Sequence, residues 1–99
     1  MRVIIMPRKV LVLGATGRIA GHAINALLDE TDDELRLFAR HPERIKIVDA
    51  NRETAIKGDT LDHESLDGAV AQADAVYANL AGTDIEQQAR NIVEAVDAH

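Results

Sequence analysis

Residues 9–14, KVLVLG, form an unbroken run of β-branched and leucine residues ended by glycine. Such a run suits a strand buried on both faces, as in a parallel sheet. From Arg18 the period changes. Ile19, Ala20, Ala23, Ile24, Leu27 and Leu28 recur at helical spacing, while His22, Asn25 and Asp29 fall elsewhere. That pattern predicts an amphipathic helix, ended by the acidic TDDE. LRLFAR (35–40) reads as the second strand, and Pro42 in HPERI opens a short helix or turn. Residues 46–54 show no clear period. AIKGD (55–59) is a short strand closed by Gly-Asp. DHESLDGAVAQA reads as a helix capped by Asp62, with Leu66, Ala69, Val70 and Ala73 inward. DAVYANL (74–80) is another buried strand. Thr83 and Glu86 then form a T-x-x-E capping box, opening a helix with Ile85, Ala89, Ile92, Val93 and Val96 in one stripe.

The resulting order, β-α-β-(α)-β-α-β-α, implies an α/β fold with a parallel sheet and right-handed crossovers. Residues 9–99 make one domain, and residues 1–8 are either a short leader or an added strand. At 99 residues the chain fits one small domain. With 46% hydrophobic and 28% charged residues it has the composition of a soluble globular chain. One Phe and one Tyr leave the core to aliphatic side chains.

A net charge of −6 argues against a general affinity for nucleic acid, whose phosphates it would repel. The absence of cysteine excludes disulfides and thiolate metal sites and suits a reducing cytoplasm. The histidines at 22, 41, 63 and 99 lack metal-ligand spacing, so no metal is expected. No apolar run approaches the ~20 residues needed to cross a bilayer, so no membrane is expected either.

The chemistry lies in the first strand-helix junction. A helix N-terminus carries free N–H groups and a positive dipole end, and it binds anions such as a pyrophosphate. Gly14 permits the tight turn and Gly17 the close approach of a phosphate. A small residue at Ala20 or Gly21 lets helix pack on strand. Arg40 ends the second strand, where dinucleotide folds hold either an acid for a ribose 2′-hydroxyl or a base for a 2′-phosphate. With Arg18 at the mouth of the turn, it offers a guanidinium pair to a phosphate dianion. Asp59 either accepts from an adenine amino group or serves as the Asp of a Gly-Asp turn. NLAG (79–82) closes the fourth strand beside the first, at the switch point where open α/β sheets take ligands. The backbone of Ala81 and Gly82 could touch a ribose there.

Taken together, GATGRIA, FAR, GD and ANLAG resemble the atypical short-chain dehydrogenase/reductase superfamily, in particular its NmrA-like and epimerase/dehydratase-like members. The resemblance covers residues 9–99. It implies a three-layer Rossmann-like sheet of order 3-2-1-4 with helices on both faces, truncated relative to the full fold. It places Gly14, Thr16, Gly17, Arg18 and Ile19 on the pyrophosphate turn and Arg40 at the 2′-phosphate. Asp59 and Thr60 fall on the adenine pocket, and Ala81 and Gly82 on the ribose side. The Tyr-x-x-x-Lys pair of catalytic members is absent, since Tyr77 is followed four places on by Ala81; no catalytic residue is assigned.

The expected function is therefore binding of the adenosine-pyrophosphate part of a dinucleotide, NADP(H) in preference to NAD(H), by a chain inactive alone. The alternative is a non-catalytic NmrA-like nucleotide sensor or interaction module. The fourth strand, an apolar edge, is expected to mediate self-association, and RVII (2–5) could supply a covering strand in cis or in trans.

Overall fold

The computed structural model describes residues 8–80 and 83–99. Strands β1 (Lys9–Leu13), β2 (Glu34–Ala39), β3 (Glu53–Lys57) and β4 (Ala75–Ala78) alternate with helices α1 (Arg18–Glu30), α2 (His63–Ala71) and α3 (Ile85–Ala98). A single 3-10 turn, Pro42–Arg44, follows β2. The sheet is parallel throughout, in the order β3-β2-β1-β4. β1 is central: Leu11 pairs with Arg36 on one side and Val76 on the other. Of its residues, Val10 to Leu13 are all buried, as an unbroken apolar run requires of a strand covered on both faces.

Alternation along the strands divides the core into two layers. Val10, Val12, Leu35 and Leu37 pack with Ala20 and Ile24 of α1. Leu11, Leu13 and Phe38 pack with Leu66, Ala69 and Val70 of α2 and Ile92 and Ala95 of α3. The result is three layers with helices on both faces. Tyr77 sits on the α1 side of β4, packed against the first of these clusters.

Some faces differ from the sequence pattern. Ile19 is 65% exposed, so the buried line of α1 starts at Ala20. α3 is turned further: Asn91, Ile92 and Ala95 are buried, whereas Ile85, Val93 and Val96 are exposed. Thr83 does not cap α3. The N-cap is Asp84, whose carbonyl accepts the Gln88 N–H at 3.0 Å. β4 is half-buried rather than buried, because it is an edge. β3 begins at Glu53, two residues before its apolar centre. By contrast Asp62 caps α2 as expected, accepting from the Glu64 N–H at 3.1 Å.

The aperiodic loop before β3 does work that hydropathy does not register. Arg52 donates to the carbonyls of Leu28 (2.9 Å), Thr31 (2.6 Å) and Asp33 (3.2 Å), closing the C-terminal end of α1. Buried Glu53 accepts from the N–H groups of Val48 and Asp49 at 2.9 and 2.8 Å, holding its own loop. At the same edge of the sheet the buried Asp33 pairs with the Arg8 guanidinium at 3.0 Å. This hydrogen bond holds the Asp33 carboxyl below the usual carboxylate range, against the opposing effect of burial.

Candidate functional site

All four strands end at the same edge, and the loops leaving them surround a cleft of about 350 Å³. Gly14, Thr16 and Gly17 line it from the β1–α1 turn, and Arg40, His41 and Arg44 from the segment after β2. Gly58, Asp59, Thr60 and Leu61 contribute from the β3–α2 loop, Asn79 from the end of β4, and Asp84 and Gln88 from the start of α3.

The glycine turn is built for close approach. Gly14 has φ 72°, a left-handed conformation that favours glycine, and a side chain there would overlap the Asn79 carbonyl oxygen. A side chain at Gly17 would meet the Asn79 side-chain amide. Gly14 and Ala15 both donate N–H bonds to the Phe38 carbonyl, at 3.1 and 3.2 Å, and Gly17 N–H donates to the Gly14 carbonyl at 3.1 Å. These bonds fix the turn against β2. The first N–H donation into the helix is Gly21 to the Gly17 carbonyl, at 3.0 Å. The N–H groups of Thr16, Arg18 and Ile19 therefore have no partner among the described residues. Gly17, the N-cap, has no side chain to supply one, and the first turn of α1 holds no acid. Ala20 is fully buried and lets α1 approach the sheet, whereas Gly21 has open space around it.

The other residues singled out in the sequence lie as follows. Arg40 is exposed on the cleft rim at the end of β2. Arg18 is exposed on the first turn of α1 and does not line the cleft, and neither does the exposed Ile19. Asp59 lines the cleft while its Oδ1 accepts the Leu61 N–H at 2.9 Å, so the Gly-Asp turn is formed. Thr60 donates its hydroxyl to Gln88 Oε1 at 2.8 Å. Ala81 and Gly82 lie outside the described residues, as do residues 2–5.

Arg44 is one lining residue that the sequence reading missed. The 3-10 turn started by Pro42 carries it back toward the cleft four places after Arg40. The signal was the R-H-P-E-R spacing, in which proline forces the chain to reverse. Neither Arg40 nor Arg44 makes an ion pair or side-chain hydrogen bond with a described residue. The nearest acid in sequence, Glu43, faces His41 at 3.5 Å.

A cleft at the carboxyl ends of parallel strands, with an uncapped helix mouth on one side and free guanidinium groups on another, fits a phosphorylated ligand. A family model described as NAD(P)H-binding matches residues 14–99. This chain belongs to the NAD(P)H-binding family. The domain is similar to a Rossmann-fold NAD(P)-binding family protein from Shigella flexneri, with 41% identity and a TM-score of 0.86. That match covers 94% of this chain and 47% of the other. It is also similar to a short-chain dehydrogenases/reductase from Veillonella parvula solved in complex with NADP, with 29% identity and a TM-score of 0.79. Here the coverage is 94% of this chain and 43% of that one. Protein YmjC of Escherichia coli K12 is 50% identical over 38 residues, 38% of this chain and 63% of that protein. The NAD(P)H-binding domain thus spans under half the length of these solved relatives. None of its described helices is long and apolar enough to cross a membrane.

Proposed function

We propose that this domain binds NADP(H) in preference to NAD(H), holding the adenosine and pyrophosphate portions and leaving the nicotinamide end to protein beyond this cleft. The observation that carries the preference is the pair of unpaired guanidinium groups, Arg40 and Arg44, on the rim that follows β2. An acid there would accept from a 2′-hydroxyl and repel a 2′-phosphate; two arginines do the reverse. The free N–H groups of Thr16, Arg18 and Ile19 supply donors for the pyrophosphate, with Gly14 and Gly17 keeping side chains out of its way. Asp59 and Thr60, which line the cleft after β3, are the residues we assign to the adenine edge. Arg18, outside the cleft rim, adds a longer-range positive field at the helix mouth.

Bound nicotinamide would supply hydride chemistry, but hydride transfer also needs a proton donor and a shield from water. Tyr77 packs against the core and has no lysine four residues on, so the Tyr-x-x-x-Lys pair that would serve as proton donor by resemblance is absent. We therefore expect it to bind without reducing carbonyl substrates by itself, which leaves it able to act as a nucleotide sensor. The lack of cysteine suits a cytoplasmic location.

Calorimetric titration with NADPH and NADH tests the reading. NADPH should bind at least tenfold more tightly, and Arg40→Ala or Arg44→Ala should cost roughly tenfold for NADPH while leaving NADH unchanged. Equal affinity of the unaltered protein for the two would remove the role given to both arginines.

A second reading concerns association. β4 pairs with β1 on one side and with no described strand on the other. Its sequence AVYA carries no charge, whereas the opposite edge, β3, carries Glu53 and Lys57. A second copy brings an identical unpaired strand, and antiparallel pairing of the two would extend the sheet across a two-fold axis. Light scattering of the purified chain should then report a dimer that Val76→Pro dissociates; a monomer at high concentration contradicts it.

A further inference from the structure

α3 turns a polar residue into the core where its sequence offered valine. Asn91 is 2% exposed, while Val93 and Val96 face outward. Burying an amide is unfavourable unless its groups are hydrogen-bonded, and both of these are. Asn91 Nδ2 donates to the Thr60 carbonyl at 2.9 Å, and Oδ1 accepts from Gln87 Nε2 at 2.8 Å. One turn earlier, Gln88 Oε1 accepts the Thr60 hydroxyl at 2.8 Å. Gln88 is itself oriented, since its Nε2 donates to Asp84 Oδ1 at 2.7 Å. Thr60 is thus gripped at two of its polar groups by one helix that lies 28 and 31 residues further along the chain.

The loop around Thr60 has other bonds, but they do a different job. Gly58 N–H on the Ala39 carbonyl, at 3.1 Å, anchors the base of the loop to β2. The Asp59 backbone with Ser65 Oγ, at 3.3 Å, and Asp59 Oδ1 with Leu61 N–H, at 2.9 Å, set its local shape. The bonds to α3 set where its tip stands relative to the rest of the cleft.

We infer that Asn91 is a positioning residue for the adenine side of the cleft, acting with Gln88 through Thr60 although it lines no part of that cleft itself. The inference rests on the dinucleotide reading above and adds a role for the helix that follows β4. A leucine at position 91 would fill the same space and suit the apolar layer better. The choice of an amide is explained by the loop carbonyl that it holds and not by the filling of the core. A misplaced Thr60 moves the adenine-side wall and leaves the glycine turn where it is.

The full chain and its Asn91→Leu variant should be titrated with NADPH, adenosine 2′,5′-bisphosphate and inorganic pyrophosphate, with thermal melts alongside. Asn91→Leu should stay folded, since leucine fills the same space, with a slightly lower melting temperature because the Thr60 carbonyl loses its partner. It should lose roughly five- to tenfold in affinity for NADPH and the adenosine bisphosphate, and keep its affinity for pyrophosphate. A folded Asn91→Leu that binds the adenosine bisphosphate as the parent does, or loses pyrophosphate equally, overturns the inference. If that variant does not fold, Gln87→Ala decides. Gln87 is exposed and outside the cleft, so its removal frees the Asn91 amide to turn without touching the ligand. About twofold loss for the adenosine bisphosphate alone supports the inference, and no change overturns it. Failure of the parent to bind NADPH at all would instead remove the dinucleotide reading on which this rests.

Discussion

The C-terminal end of α1 is saturated with hydrogen bonds from the chain itself, whereas its N-terminal end receives none from any described side chain. At the C-terminal end Arg52 reaches back from the loop before β3 to the carbonyls of Leu28, Thr31 and Asp33. The Thr31 hydroxyl adds a bond of 2.6 Å to the Leu27 carbonyl. At the N-terminal end Gly17 has no side chain, and no acid stands in the first turn. α2 shows that the same sheet edge can close a helix mouth: Asp62 caps it and Glu64 sits in its first turn. Free N–H groups left at a helix mouth are unfavourable when dry. The difference between the two ends of α1 therefore separates what the fold completes for itself from the donors that the proposed reading assigns to a ligand.

Removing the self-supplied end should have the largest effect. Arg52→Met keeps the aliphatic stem but strips the hydrogen bonds from several carbonyls at once. It should lower unfolding stability by about 2–3 kcal/mol in urea titrations while leaving NADPH affinity within a factor of two. A variant equally stable but unable to bind NADPH would reverse the assignment of the two ends.

Closing the open end should do the opposite. Gly17→Asp gives α1 the kind of cap that α2 has, at the cost of moving the Asn79 side-chain amide aside. NADPH affinity should fall at least tenfold through charge repulsion and loss of donors, with stability changed by less than about 1 kcal/mol. Affinity unchanged in calorimetry would mean that the helix mouth does not hold the phosphates.

The smallest effect belongs to the ion pair at the self-supplied edge of the sheet. Arg8 holds the Asp33 carboxyl below its usual range, so the pair contributes stability above that range and loses it as pH falls through the lowered folded value. Arg8→Ala should lower the urea midpoint slightly near neutral pH, and the difference from the parent should vanish in strong acid, where Asp33 is protonated in both. A difference that grows in acid would contradict the sign.

How much of this was readable in advance follows the same division. β1, the alternation of strands and helices, and the Asp62 cap were legible, because an apolar run, a change of period and a capping residue are local signals. The open helix mouth was legible for the same reason, since Gly14 and Gly17 announce a backbone that must stay bare. Arg52 was not, because its partners lie more than 18 residues away and a loop without period gives no hint of them. The buried face of α3 was misjudged on the same ground. Counting apolar positions favours Val93 and Val96, whereas Asn91 turns inward to meet a carbonyl on another loop. Thr83 met the pattern of a capping box, but the helix starts one residue later at Asp84, whose carbonyl takes the first helical bond. Arg44 required knowing that Pro42 would bend the chain back onto the cleft.

The most direct measurement is a map of backbone amide chemical shifts during titration with NADPH. The signals of Thr16, Arg18 and Ile19 should move first and furthest, saturating together with those of the segment containing Arg40 and Arg44. Shifts concentrated at Asp62 to Glu64, or on the outer face of α3 with the glycine turn unmoved, would show that the uncapped end of α1 is not where the diphosphate sits.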